Sequence, residues 1–384
     1  MATPPASVPP VPAPVSVVIV DDSSVQRRFV RMVLDADPGL VVVGEARNGR
    51  DALALVERLR PNVVLMDLHL PMMNGIEAIE RIMAVRPTPI LVYSAFVDGD
   101  DRDNAAAALA AGAVDIMAKP MANASDSLDK YAADLRSRLR LVGRVKVITH
   151  PRGKLAGSAR ATMSTHRLGG ASPRPAAEVT TAPPMPAIVE DLKPRDVRVV
   201  AIGASTGGPQ ALATLLAELP TDLQAAVVIV QHMAEGFMEG LAGWLDGMCP
   251  LPVAVGVHGR RLQPGTVTVA PSGANLVVHE QLRVTMHEPP RSQYHVPGID
   301  ATFTSIADAV GEHAVGLLLT GMGRDGAAGL KRMRDAGAFT IAQDEESSAV
   351  YGMPAAAMAI GAVERQLPLS EISSALLRLT GGTR

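Results

Sequence analysis

The stretch Val63-Val64-Leu65-Met66-Asp67-Leu68-His69-Leu70-Pro71-Met72-Met73-Asn74-Gly75 decides how the first third of the chain is read. Four apolar residues, two of them β-branched, make a strand rather than a helix, and a carboxylate closes it. Pro71 and Asn74-Gly75 punctuate a turn, and a helical pattern starts at once. The same unit recurs on both sides. Apolar runs at 17–20, 40–44, 63–66, 90–93 and 114–117 alternate with helical patterns starting near Ser24, Gly49, Gly75, Arg102 and Asp126. Such alternation predicts an α/β domain over 16–143, built on a parallel doubly wound sheet. A second alternation fills 196–384. Its runs lie at 197–202, 226–230, 266–269, 282–286, 315–320 and 339–342, and its helical patterns at 209–218, 236–246, 301–310, 327–335 and 370–379. It predicts a second, mostly parallel doubly wound α/β domain with a small antiparallel patch around 266–287.

Two segments fall outside this pattern. Residues 1–15 hold six prolines and neither Lys nor Arg, which reads as a disordered Pro-rich leader and not a signal peptide. Residues 144–195 are rich in Pro, Ser, Thr and Ala without periodicity, a composition that cannot bury enough surface to offset chain entropy. Seven cations (Arg144, Lys146, Arg152, Lys154, Arg160, Arg167, Arg174) face one acid, Glu178, up to residue 187. A flexible basic linker explains this better than a docking segment for an acidic partner. Over the 384 residues, 36 Lys+Arg against 39 Asp+Glu leave a formal charge of −3, so no global field draws the chain to nucleic acid. A single cysteine, Cys249, excludes a disulfide framework and a thiolate metal site. No apolar run reaches the roughly 18 residues of a membrane span. A cytoplasmic protein is expected.

In the first domain, Asp21-Asp22 follow the run 17–20, and Asp67 ends the run 63–66. The carboxyl ends of neighbouring central strands share one edge of a doubly wound sheet. Carboxylates converging there repel one another unless a hard cation such as Mg²⁺ takes oxygen ligands from them. Ser94 and Lys119 end the next two strands. A hydroxyl and an ammonium beside metal-bound carboxylates suit a phosphoryl group, with Asp67 as the nucleophile. Each residue alone would pass for a helix cap or a solvated charge; five at successive strand ends do not.

In the second domain, the run 197–202 leads into Gly203-Ala204-Ser205-Thr206-Gly207-Gly208-Pro209 and a helix. A serine on such a turn can be a nucleophile beside helix-start N–H groups, or the turn can be a glycine loop around a phosphate. The next strand ends at Gln231-His232, and a later one at Gly321-Met322-Gly323-Arg324-Asp325-Gly326. Nucleophile, general base and orienting carboxylate then sit at three strand ends on one edge, which favours hydrolysis. The order Ser…His…Asp differs from the Ser…Asp…His of α/β-hydrolases. His258, His279, His287, His295 and His313 show no ligand-like spacing and read as solvated.

Asp21-Asp22, the segment Met66–Gly75, Ser94 and Lys119-Pro120 resemble a two-component receiver domain, which implies a flavodoxin-like (βα)5 fold. The resemblance implies phosphorylation of Asp67 by a chemotaxis histidine kinase, Mg²⁺ held by Asp21, Asp22 and Asp67, and readout through Ser94 and Lys119. One position departs: three residues before the lysine, where receivers commonly carry an aromatic switch, stands Ile116. Gly203–Pro209, Gln231-His232-Met233 and 319–327 resemble the chemotaxis protein-glutamate methylesterase (CheB) family, and the order receiver, linker, esterase matches over nearly the whole chain. The resemblance implies Ser205 as nucleophile, His232 as base then acid, Asp325 as its orienter, and Thr206 and the Met322 N–H around the oxyanion. It implies phosphorylation-regulated hydrolysis of glutamate methyl esters on methyl-accepting chemoreceptors and deamidation of receptor glutamines. No cofactor is expected for the ester step. Membrane association would be peripheral, through receptor arrays. Around 295–300 the chain keeps Asp300 but lacks the arginine and serine of an Arg-Pro-Ser-Val-Asp-like run. The alternatives are a receiver-controlled binding module that has lost hydrolysis and a transcription-type regulator. The intact Ser205, His232 and Asp325 count against the first, and the lack of a basic recognition helix after residue 197 counts against the second.

Overall fold

The computed structural model describes residues 13–95, 100–120, 128–145, 147, 189, 191–290, 293 and 295–381. Residues 1–12 of the leader and most of the basic stretch 144–195 lie outside them, as does the helix onset read at Asp126. The chain forms two compact units, Met1–Ile148 and Thr149–Arg384.

The first unit alternates β1 (Val15–Val20), α1 (Ser24–Asp35), β2 (Leu40–Ala46), α2 (Gly49–Leu59), β3 (Val63–Met66), α3 (Gly75–Val85), β4 (Ile90–Ser94), α4 (Asp100–Ala111), β5 (Asp115–Ala118) and α5 (Leu128–Val142). The five strands make one parallel sheet in the order β2-β1-β3-β4-β5. Chain order reverses between β1 and β3, where a doubly wound sheet opens a crevice at its carboxyl edge. The central strands are buried on both sides, which is why they read as continuous apolar runs. Side-chain caps start the helices on that edge. Ser23 accepts from the Gln26 N–H, Asn48 from Asp51 and Asn74 from Glu77. Gly75 begins α3 so close to β3 that a Cβ there would lie 2.2 Å from the Asp67 carbonyl oxygen. Only glycine lets the helix start against the strand end that carries the carboxylate.

The second unit runs β6 (Val199–Ala204), α6 (Gly208–Leu216), β7 (Ala226–Gln231), α7 (Met238–Asp246), β8 (Val253–Val255), β9 (Val267–Val269), β10 (Asn275–Val278), β11 (Val284–His287), α8 (Ile299–Val310), β12 (Ala314–Leu318), α9 (Ala327–Asp335), β13 (Phe339–Gln343), α10 (Met353–Ala359), β14 (Arg365–Leu367) and α11 (Leu369–Leu379). Seven strands form a parallel sheet in the order β14-β13-β12-β6-β7-β9-β8, with its switch point between β6 and β12. The antiparallel patch is narrower than the sequence suggested. It is the β10–β11 hairpin with one antiparallel bridge, Arg261 to Arg283, while the run at 266–269 becomes β9 and pairs in parallel with β7 and β8. Leu282, read as a strand start, lies in the hairpin turn with φ 62°. The short elements β8, α10 and β14 carry too few periodic residues for a sequence reading to find them. Phe303 on α8 is fully buried. A Cβ on Gly203 of β6 would lie 3.2 Å from its ring, and one on Gly329 of α9 would lie 2.7 Å from its Cβ. Burying such a side chain contributes about 2 kcal/mol, and it fixes two helices against the strand that ends at Ser205.

Candidate functional sites

In the first unit the switch point gathers the expected groups. Asp21 and Asp22 follow β1, and Asp67 follows β3 and donates its N–H to Val20 O (2.9 Å). One carboxylate oxygen from each of the three lies within 4.8 Å of the others, a set that suits a hard cation. Lys119, beyond β5, places Nζ 2.7 Å from Asp21 Oδ2 and 2.7 Å from Asp67 Oδ2. Asp67 and Lys119 influence each other. Burial pushes the Asp67 carboxyl above the usual carboxylate range, against the pull of Lys119. Burial disfavours the Lys119 ammonium, but its hydrogen bonds to Asp21 and Asp67 outweigh that and raise it. The Ser94 hydroxyl is buried with no hydrogen-bond partner, so an acceptor-rich group placed there would satisfy it. The three-carboxylate set and this orphan hydroxyl fit Mg²⁺ and a phosphoryl group. Ile116 is fully buried on β5 and takes no part in the cluster. The aromatic neighbour of the lysine is Tyr93 instead, whose ring lies 5.6 Å from Nζ. Burial raises the Tyr93 hydroxyl to about 12.

In the second unit Ser205 stands directly after β6 and is buried with Thr206 and His232. Its backbone is held from three sides. Its N–H donates to Thr320 O (3.0 Å), and its carbonyl accepts from Gly208 N–H (2.7 Å) and from Gln231 Nε2 (2.9 Å). Gln231 Nε2 also donates to the His232 carbonyl (2.9 Å), so one amide ties the serine turn to the histidine. Thr320 extends this frame. Its hydroxyl donates to Thr206 O (3.0 Å) and accepts from Val350 N–H (2.8 Å), and its own N–H donates to Gln343 Oε1 (2.8 Å). The glycine turn after β12 passes close to Ser205, since a Cβ on Gly321 would lie 2.7 Å from the Ser205 Cβ. Met322 follows Gly321 in that turn.

His232 Nε2 is 2.8 Å from Asp325 Oδ2, and its Nδ1 is buried without a hydrogen-bond partner. Asp325 is held in turn. Oδ2 also accepts from Ile299 N–H (2.8 Å), and Oδ1 accepts from Asp300 N–H and Gly326 N–H (3.0 Å each). Burial alone would raise the Asp325 carboxyl, but His232 and these N–H groups bring it down to about 2. Asp300 behaves oppositely. Burial and the nearby Asp325 raise it although Gly329 N–H donates to it.

One histidine corrects the sequence reading. His295 is not a free surface group; its ring stacks on that of His232, with centroids 4.2 Å apart and planes 11° from parallel. Its loop is braced by Asn275, the first residue of β10. Asn275 Oδ1 accepts from Gly298 N–H and Gln293 Nε2, and its Nδ2 donates to Gln293 Oε1 (2.8 Å each). A cavity of about 400 Å³ opens beside the pair, lined by Gln293, His295, Gly298, Asp300, Arg324 and Asp325 among others. No spacing in the sequence pointed to Asn275 or Gln293.

A receiver-like five-stranded sheet followed by a second doubly wound sheet is the class these two folds define. The comparisons agree. A response regulator receiver family profile matches residues 17–130, and a CheB methylesterase profile matches residues 200–376. The chain is 41% identical over 369 residues to protein-glutamate methylesterase/protein-glutamine glutaminase 3 of Paramagnetospirillum magneticum, covering 96% of this chain and 97% of that one. It is 44% identical to protein-glutamate methylesterase/protein-glutamine glutaminase 2 of Anaeromyxobacter dehalogenans, with the same coverage. The crystal structure of the Thermotoga maritima CheB methylesterase catalytic domain matches 47% of this chain and 97% of its own length at 32% identity, with a TM-score of 0.46. The chain belongs to the CheB methylesterase family and is a hydrolase with a response-regulator receiver.

Proposed function

We propose that this protein removes methyl groups from glutamate methyl esters on methyl-accepting chemoreceptors, releases methanol, and also deamidates receptor glutamines, under control of phosphorylation at Asp67. The names of its relatives support the substrate class. The observation that carries the chemistry is the buried His232–Asp325 pair with Nδ1 unpartnered, at the strand end beside Ser205. Asp325 accepts the Nε2 proton, which leaves the Nδ1 lone pair to take the proton of Ser205 Oγ as it attacks the ester carbon. The tetrahedral oxyanion is held by the Thr206 and Met322 region of the two turns. His232 then returns the proton to the departing methoxide, giving methanol and a seryl ester. Water repeats the cycle with His232 as base, freeing the glutamate carboxylate and Ser205. A glutamine side chain follows the same path with ammonia as leaving group. This step needs no cofactor.

In the receiver, an Asp67 carboxylate oxygen attacks the phosphorus of a phosphohistidine on the phosphodonor, a chemotaxis histidine kinase; the O–P bond forms as the P–N bond breaks, and the kinase imidazole leaves. Asp21, Asp22 and Asp67 would hold Mg²⁺, which supplies positive charge against the phosphoryl oxygens. Ser94 Oγ and Lys119 Nζ would bind those oxygens and report the change. The working division is leader 1–15, receiver 16–143, linker 144–195 and esterase 196–384. Among the described residues no helix is long and apolar enough to cross a membrane, which accords with a cytoplasmic protein reaching its receptors peripherally.

The test is methanol release from methylated chemoreceptor membranes, with and without acetyl phosphate and Mg²⁺. Release that needs Ser205, and that rises with acetyl phosphate only when Asp67 is present, is expected. No release from any receptor tested, with Asp67 phosphorylated, would overturn the reading.

A further inference from the structure

The amino-terminal edge of the second sheet, opposite the edge that carries Ser205 and His232, is also built. Arg198 precedes β6, Gln224 precedes β7, Pro264 precedes β9 and His313 precedes β12. Together with Arg261 and the β10–β11 turn they enclose a cavity of about 450 Å³, within the usual range for small-molecule sites. Its floor is apolar (Leu262, Leu282, Ala309, Val310), its rim carries two guanidiniums and three side-chain amides, and among the described residues no carboxylate lines it. The Arg261 guanidinium has no ionic partner among the described residues. Arg198 has only a long contact, 3.8 Å, to an exposed Asp196 that also pairs with His313. Two arginines left this free beside an apolar floor form an anion site in chemical terms.

A second observation points to the same place. Gln281 and Leu282, adjacent in the hairpin turn, both have positive φ (59° and 62°). Side chains with a Cβ are strained there, and glycine or asparagine takes such a backbone more readily. The chain accepts that strain, and both side chains line the cavity. Strained backbone of this kind clusters at ligand and active sites.

We propose that this cavity binds a small phosphorylated molecule, its phosphate between Arg198 and Arg261 and its apolar body over Leu262 and Leu282. Nothing in this assignment depends on the ester reaction at the opposite edge of the sheet.

The test is calorimetric titration of the full chain in Mg²⁺-free buffer, which leaves the receiver carboxylates without their cation. The probes are adenosine monophosphate, inorganic phosphate and adenosine. Adenosine monophosphate is expected to bind with a dissociation constant on the order of 1 mM or tighter. Arg198→Gln with Arg261→Gln should weaken it more than tenfold, and an Arg332→Gln control on α9 should not. Leu282→Gly relaxes the turn and removes part of the floor, so it should weaken adenosine monophosphate while leaving inorganic phosphate unchanged. Absence of binding to either phosphate-bearing probe would overturn the proposal. So would adenosine binding as well as its monophosphate, or binding that survives loss of both arginines in a folded protein.

Discussion

Asp325→Asn tests the catalytic pair and the fold together. Each carboxylate oxygen of Asp325 accepts from two donors: His232 Nε2 and Ile299 N–H on Oδ2, Asp300 N–H and Gly326 N–H on Oδ1. An asparagine has one oxygen, so its NH₂ must face two of these groups in either orientation. Turned toward Oδ1, it opposes two backbone N–H groups. Turned toward Oδ2, it opposes Ile299 N–H and makes His232 Nε2 an acceptor, which moves the ring proton to Nδ1 and removes the lone pair that serves Ser205. The stability cost has two parts. The carboxyl is held at about 2 against 3.8, worth about 2 kcal/mol at neutral pH. An unsatisfied buried donor adds about 1 kcal/mol or more. Because the folded value lies below the unfolded one, the first part is present above pH 3.8 and is lost as pH falls through about 2. The chain's one tryptophan, Trp244, is buried in the second unit, so its fluorescence during denaturant unfolding reports that unit. The variant should lose about 3 kcal/mol at pH 7, and the deficit should shrink toward acid pH. Ester hydrolysis should fall by about 10³ to 10⁴, as when the orienting carboxylate of a Ser-His-Asp triad is replaced by an amide. A variant within about 0.5 kcal/mol of the parent at pH 7, or one that keeps most of its hydrolysis, would refute this account.

Two further substitutions test other parts of the structure. Gly208→Ala places a Cβ 2.1 Å from Gln231 Oε1 and 2.8 Å from the Ala204 Cβ; it should displace Gln231 and lower hydrolysis tenfold or more while a receiver phosphorylation assay stays unchanged. Lys119→Met leaves the buried Asp21 and Asp67 without their cation. Receiver stability in a chelating buffer should fall by about 3 kcal/mol, and added Mg²⁺ should restore more of it than in the parent chain; equal Mg²⁺ responses in the two would contradict the carboxylate cluster described.

Much of this was legible in the sequence because both doubly wound sheets place their chemistry where a β-branched run stops at a polar residue. Asp21, Asp67, Ser94 and Ser205 each mark such a stop, and periodicity finds the run whatever its tertiary partners. His295, Asn275 and Gln293 were not legible for the converse reason. His295 reaches His232 across 63 positions of chain, on a loop braced by two amides, Asn275 at the start of β10 and Gln293 outside any element, that no shared period links. The β10–β11 turn misled differently. Leu282 reads as the start of an apolar strand, and only the backbone shows it in a left-handed conformation that glycine takes more readily.

Thr320 gives the site a property that no single catalytic residue has. Through its carbonyl, hydroxyl and N–H it joins the Ser205 turn to Val350 and to Gln343 on the next strand. Ser205 is thus seated by bonds that also tie the end of β6 to the segments after β12 and to β13. Genetic screens for lost activity should therefore recover changes at Thr320 and Gln343, whose side chains make these bonds, alongside those at Ser205.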